Sequence, residues 1–500
     1  MKKQQYLFLF ILTFISHQIK AQITLETLHL DSLYEASPNW FLERDEQFLK
    51  SVPVLNIDQR QLNQPIPPYV NNAQSHFFPY IFYQVALECA QSSSLTYLFS
   101  YELAVRRNRP LLYDTPYNKY HIPSHFAWNF CNSGTNRGVS FMDTWQVIRT
   151  AGSPFTPDWG TSYFEGGEKK WLSGYDKYYR GMQNRIVEMY AIPTHTEEGI
   201  NTLKHWIANH CSDDIRGGCA NFYCRHQSPN GTLPQGTPEA GKAVMVQFST
   251  SVNHSQTIVG YNDSIRYDYN GDGIYTNHLD INGDGVVDVR DWEIGGVIFC
   301  NTFGTTWGDQ GFCYLPYKKL AETHLENEGI WNACVYVVQV RDEVFPQLTY
   351  KITIRHNQRN QIRLTAGINP DLNADSPSKT IDFNVFNFQG GANYMQGGTT
   401  EADKTLELGL DVTPLLNQMD PNTPYLFFLG VTEADLYGTG NGQIVSFSLI
   451  DYTNGGQEEI SHPSQNIPIA NNSTTYLKVQ RAVNFTKPTI LTDQVETAAF

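Results

Sequence analysis

Cysteine is scarce in this chain: eight among 500 residues, all between positions 89 and 334. That excludes a small disulfide-stapled scaffold, which needs dense cysteine. Basic residues are also short. There are 35 Lys and Arg against 50 Asp and Glu, a formal net charge of −15. Phosphate binding needs a net basic face, so nucleic acid is excluded as the main partner. Long apolar runs are missing after the first fifteen residues, so no membrane span is expected. With 41% hydrophobic residues there is material for a sizeable core, and disorder over most of the length is excluded.

The N-terminus holds the one apolar run. Lys2 and Lys3 precede YLFLFILTFI, residues 6–15, a stretch too short to cross a bilayer. Ala21 supplies a small residue at a cleavage point, leaving Gln22 as the mature start. These features predict a signal peptide over 1–21 and a secreted protein, extracellular, periplasmic or on the cell surface. Disulfides are permitted there, and the spacing of Cys211, Cys219 and Cys224 reads as a loop disulfide rather than a zinc knuckle. Residues 22–65 form an N-terminal segment that could serve as a pro-region.

Composition shifts near residue 345. Beyond it, seven short alternating runs are separated by Gly, Asn, Asp and Pro: 351–354, 361–368, 380–388, 404–412, 425–431, 443–449 and 476–479. They predict an all-β sandwich over 345–490. No residues there single out a ligand; contact with a surface or carbohydrate is the open reading. Before the shift, apolar residues at helical spacing predict helices over 92–107, 141–151 and 197–210, with Thr196 as an N-cap. Residues 243–248 and 256–261 read as strands. Helices first and an antiparallel sheet later is the α+β pattern.

Three segments bear residues with chemical potential. QVALECAQ, residues 84–91, sets Cys89 at the start of the first helix. VNHS, residues 252–255, sets His254 before an apolar strand ending Val259-Gly260-Tyr261. FCNTFGTTWGDQGF, residues 299–312, delivers Asn301 from a strand into a glycine-punctuated loop holding Phe303 and Trp307. A thiol at a helix N-terminus feels the positive end of the macrodipole, and a nearby imidazolium lowers its pKa further. The thiolate can then attack a carbonyl carbon while the imidazole shuttles the proton.

In this order and with these flanks, the segments resemble the Gln-to-Cys, His and Asn-Ser-Trp-Gly motifs of papain-like cysteine peptidases. The resemblance covers roughly residues 66–340. It implies Cys89 as nucleophile, His254 as base, Asn301 as the group orienting the imidazole, and Gln84 as an oxyanion donor beside the Cys89 backbone N–H. CNSG, residues 131–134, is similar to a Cys-x-Gly-Gly turn of the family, which implies Gly134 as a substrate-binding backbone position. GKAVMV, residues 241–246, is similar to a Gly-Pro-Val strand. Several positions depart from the family: Thr302 stands for Ser, Phe303 for Trp, Ala90 for the Trp after the nucleophile, and Ala86 for a nearby Cys. The Cys-to-His gap is 165 residues, against about 130–150 in the family. Residues 22–65 lack the long-helix pattern of the family's inhibitory propeptide.

Between His254 and Asn301 the chain carries two acidic loops, within an insert spanning 263–295. The second matches the calcium-loop template: Asp280, Asn282, Asp284, Asp288 and Asp291 at positions 1, 3, 5, 9 and 12, Gly285 at 6, and the Val286 carbonyl at 7. The first holds Asp268, Asn270 and Asp272 but has Leu279 at position 12. One structural calcium ion is therefore expected, a second is left open, and no organic cofactor is expected.

The expectation is an α+β chain with a papain-like two-subdomain peptidase fold over 66–344, a helical part plus an antiparallel β part, then the sandwich. Its expected activity is hydrolysis of protein or peptide substrates through a thioacyl-enzyme. The alternatives are a non-catalytic adhesin or ligand-binding protein on a degenerate peptidase fold, and acyl transfer to an amine by the same trio.

Overall fold

The computed structural model describes residues 51–111, 119–160, 166–212, 216–435, 438 and 440–486. The expected signal peptide and residues 22–50 lie outside the described residues. No helix among the described residues is long and apolar enough to cross a membrane.

The chain mixes helices with antiparallel sheets. Residues 89–106 run as one continuous helical rod: an α turn Cys89–Gln91, a π segment Ser92–Phe99 and an α segment Ser100–Arg106. Ser92, Ser93 and Ser94 are fully buried where the rod meets the main sheet. Their short side chains let the backbones approach closely. Ser93 Oγ donates to Ser255 Oγ at 2.9 Å, and Thr257 Oγ1 donates to the Ser93 carbonyl at 2.9 Å. A π segment widens the turn and is often found at functional sites.

The main sheet is nine-stranded. At its centre His254–Arg266 lies between Ala220–Cys224 and Ile294–Cys300. Cys224 pairs directly with His254, and Thr257 with Cys300. All five residues of Ala220–Cys224 are buried, so the strand shows no alternation for a sequence reading to find. The expected strand over 243–248 is reduced to Ala243–Val244, joined in parallel to Phe312–Pro316 away from His254. Gly260 is needed because Tyr69–Asn71 lies across it: a Cβ there would meet the Val70 carbonyl oxygen at 2.2 Å.

The helices at Phe141–Ala151 and Glu197–Asn209 match the periodic segments, with Ser140 and Thr196 as side-chain caps. All eight cysteines are free thiols, which corrects the expected loop disulfide. Cys219 and Cys224 bound one extended stretch, so their Cα atoms stand roughly 16 Å apart, well beyond bridging distance.

From Leu348 onward the chain forms two antiparallel sheets. One orders Thr405–Asp411, Leu348–His356, Gly442–Asp451 and Glu458–Ser461; the other orders Lys379–Asn387, Ile362–Asn369, Pro424–Glu433 and Thr474–Ala482. The Tyr350 hydroxyl in the first reaches the Phe428 carbonyl of the second at 3.2 Å. These sheets are fastened to the helical part. Arg359 is buried, stacks on Trp171 at 4.3 Å, and donates to the carbonyls of Gly390 (2.8 Å) and Lys169 (2.7 Å). Arg185 pairs with Asp411 at 2.8 Å, and the Tyr175 hydroxyl bonds Thr349 at 2.6 Å.

Candidate active site

Cys89 opens the rod and is 4% exposed. The backbone of Ser255, the residue after His254, lies close enough to its sulfur to favour the thiolate. The thiol of Cys224, directly across the sheet from His254, is coupled electrostatically to it. The rod and the His254 strand therefore bring residues 89 and 254 to one place despite their separation in the chain.

His254 Nε2 lies 2.9 Å from Asn301 Oδ1. That amide oxygen also accepts the Thr302 backbone N–H at 2.7 Å. A backbone N–H can only donate, so the Asn301 amide must present its oxygen there. The proton on the imidazole is therefore on Nε2, and Nδ1 keeps a lone pair. Phe303 stacks on the imidazole with centroids 4.9 Å apart and planes 8° from parallel. His226 stands edge-on to both rings, 5.5 Å from His254 and 4.6 Å from Phe303.

Electrostatics depart from the expected lowered thiol. Burial pushes Cys89 up to about 12, and the neighbouring Glu88 carboxyl adds to the rise. Burial pulls His254 down to about 3; the Asn301 bond opposes this and His226 adds to it. Both shifts favour neutral forms, because a dry site penalises each charge. The resting pair is a thiol and a neutral imidazole, not an ion pair.

Gln84 is buried and clamped. Its Nε2 donates to the Ala86 carbonyl at 2.6 Å, its Oε1 accepts Thr302 Oγ1 at 2.5 Å, and its backbone N–H donates to the Thr302 carbonyl at 2.8 Å. One of its two amide protons is thus already engaged. Thr302, read from the sequence only as a replacement for Ser, ties Gln84 to the Asn301 strand. Gly308 serves the same loop: its φ is +55°, and a Cβ would meet the Phe312 carbonyl oxygen at 2.3 Å. A groove of about 480 Å³ is lined by Tyr83, His226, Phe303, Thr306 and Trp307, two of which, His226 and Phe303, pack against His254.

Gly134 is buried against the C-terminal part, where a Cβ would meet Asn393 Nδ2 at 2.1 Å and the Gly390 carbonyl oxygen at 2.9 Å. The segment 136–140 also meets the nucleophile turn: Leu87 N–H donates to Asn136 Oδ1 at 2.8 Å, and Gln91 Nε2 donates to the Val139 and Ser140 carbonyls at 3.0 and 3.2 Å.

The two acidic loops fold alike. Asp268 accepts the N–H groups of Gly271 and Gly273, as Asp280 accepts those of Gly283 and Gly285. Asn282 Oδ1 accepts Asp284 N–H, and Asp284 Oδ1 accepts Val286 N–H. Asp291 is buried and accepts N–H groups from Ile281, Asn282 and Asp288. Glu293, also buried, does for the first loop what Asp291 does for the second, accepting Tyr269 N–H at 2.8 Å and Thr276 N–H at 3.3 Å. It lies outside the twelve-residue window, so the sequence showed only Leu279 there. Each oxygen bound to one N–H keeps a lone pair, which suits a hard cation. Against that fit, Arg290 bridges Asp284 (3.0 Å) and Asp288 (2.6 Å), and no group of three His, Cys, Asp or Glu side chains among the described residues converges as a metal cage.

No protein-family model matches the chain, and no curated protein matches it. Among solved structures it is similar to xylellain, a cysteine protease from Xylella fastidiosa, at 14% identity and a TM-score of 0.37, covering 58% of this chain and 91% of that one. It is likewise similar to the bromelain protease of Ananas comosus with the E64 inhibitor, at 11% identity and a TM-score of 0.34, covering 55% of this chain and 100% of the other. The proCathepsin B S9 of Trypanosoma congolense aligns at 13% identity and a TM-score of 0.37, covering 61% and 86%.

Proposed function

We propose that this chain is a papain-like cysteine peptidase acting on protein or peptide substrates. The observation that carries the reading is the Asn301-oriented imidazole, with Nδ1 free to take a proton, beside a helix-start thiol. Cys89 Sγ attacks the scissile carbonyl carbon as its proton passes to His254 Nδ1. The new S–C bond forms while the carbonyl π electrons move to oxygen, and the Cys89 backbone N–H and the unengaged Gln84 amide proton face that oxyanion. The tetrahedral adduct collapses, the C–N bond breaks, and the amine leaves with the His254 proton. Water then hydrolyses the thioester by the reverse proton path, with His254 as base. Because thiol and imidazole rest neutral, proton transfer and attack proceed together on the bound substrate.

Hydrolysis of a fluorescent casein by the wild-type chain, set against Cys89→Ala, tests this. Loss of turnover in the variant is expected; equal turnover removes Cys89 from the mechanism. A second reading, a non-catalytic binding protein, is favoured by one observation, the thiol raised to about 12 at 4% exposure. That reading gives no turnover in either protein.

The same proposal includes export through the signal peptide, a C-terminal accessory sandwich formed by the two sheets after Leu348, and a structural calcium ion in the loop 280–291. Asp280, Asn282, Asp284, Asp288 and Asp291 side chains and the Val286 carbonyl would hold it, competing with Arg290 for two carboxylates. The ion would stiffen the link between the His254 and Asn301 strands.

A further inference from the structure

Glu88 stands immediately before the nucleophile and is 0% exposed. It is no bystander in the packing. Its Oε1 accepts the Val85 N–H at 3.2 Å, and its Oε2 accepts the Ser92 hydroxyl one turn into the rod. The Ala86 backbone and the Ser124 hydroxyl lie near enough to favour its charged form. The carboxyl thus ties together two pieces, the turn carrying Gln84 and the start of the Cys89 rod, with the helix Ser124–Cys131 close by. That turn also fixes Gln84, whose amide donates to Ala86.

Glu88 and Cys89 are two acids in one dry place, and two adjacent buried anions repel strongly. We propose that Glu88 is a positioning residue for Cys89, pinning the 84–87 turn to the rod and opposing ionisation of the thiol beside it. This rests on the reading of Cys89 as the nucleophile. Burial holds the Glu88 carboxyl at about 7, so it is half ionised at neutral pH, and its charge opposes ionisation of Cys89.

Other charges around the pair leave that coupling dominant. His125, next to Ser124, is held neutral by burial, at about 4. His254 is neutral as well. Cys224 is a buried thiol raised well above its ordinary value. Arg137, in the segment facing the rod, spends a guanidinium N–H on the Cys131 carbonyl.

The probe is iodoacetamide, with modification of Cys89 read by peptide mass mapping across pH, so no turnover is needed. Glu88→Gln keeps the size and removes the charge. Where Glu88 is fully ionised in the wild type, above about pH 8, the variant's Cys89 rate should exceed wild type by about tenfold, the equivalent of one pH unit toward acid; near neutral, where half of Glu88 is already uncharged, the excess should fall to about twofold. Ser92→Ala removes a hydroxyl that favours the charged carboxylate, so it should move the profile the same way by less, and it decides the matter if Glu88→Gln does not fold. Profiles that superimpose on wild type in the folded variants overturn the proposal. A shifted profile without casein hydrolysis would sink the peptidase reading and leave the coupling standing; hydrolysis with an unshifted profile would do the reverse.

Discussion

Replacing Asn301 with Ala is the sharpest perturbation of the site. The change removes the 2.9 Å bond to His254 Nε2 and leaves the buried Thr302 N–H without its 2.7 Å acceptor. A buried hydrogen bond contributes about 1 kcal/mol, and an orphaned buried donor costs about 1–3 kcal/mol. The second cost falls on stability. The first falls on catalysis, together with the loss of the tautomer that leaves Nδ1 as acceptor. A combined catalytic loss of about 2 kcal/mol is roughly 30-fold in kcat/KM. Asn301→Asp keeps an acceptor but adds charge. A carboxylate stabilises the imidazolium, so His254 should rise from about 3, and the acid limb of activity should move to higher pH. Steady-state kinetics on a peptide substrate across pH, with thermal unfolding as a fold control, reads both effects. Wild-type kcat/KM in a folded Asn301→Ala protein, or an unmoved acid limb in Asn301→Asp, would refute the orienting role.

Arg359→Ala should lower unfolding stability by about 3 kcal/mol or more, since two buried carbonyls lose their donor and Trp171 loses a stacked cation; urea titration checks it. A chelator should lower the melting temperature of the wild type, and Asp284→Ala should abolish that sensitivity, if the loop 280–291 holds calcium. Acid should destabilise the fold below about pH 6.5, because His121, His125 and His254 are held neutral, at about 3, 4 and 3. The unfolded chain then binds more protons, so stability falls with pH; each group loses about 2 kcal/mol by pH 5. Glu88, raised to about 7, works in the opposite direction with about the weight of one histidine. Melting temperatures between pH 7 and 5 measure the net.

Local patterns that need no distant partner were readable. Helix Phe141–Ala151 carries its own periodicity and cap, and most runs after 345, such as Leu348–His356, alternate between buried and half-buried positions between turn residues. Ala220–Cys224 was not readable, because a strand buried on both faces loses alternation. Glu293 was missed because its loop partner is reached through space rather than by counting. Glu88 looked like any surface carboxylate, since nothing in QVALECAQ reveals that it would be sealed inside.

The sequence by itself determined which residue types are present and their order: a thiol opening a helical run, an imidazole before an apolar strand, a carboxamide in a glycine-punctuated loop, and two acidic turns. Those follow from short-range periodicity and turn chemistry, which act over a few neighbours. Only the tertiary structure decided the protonation landscape. Burial of Cys89, His254 and Glu88 together is a property of packed surfaces far apart in the chain. It reverses the charge state that helix dipole and neighbouring histidine alone would suggest, because desolvation in a dry site outweighs both.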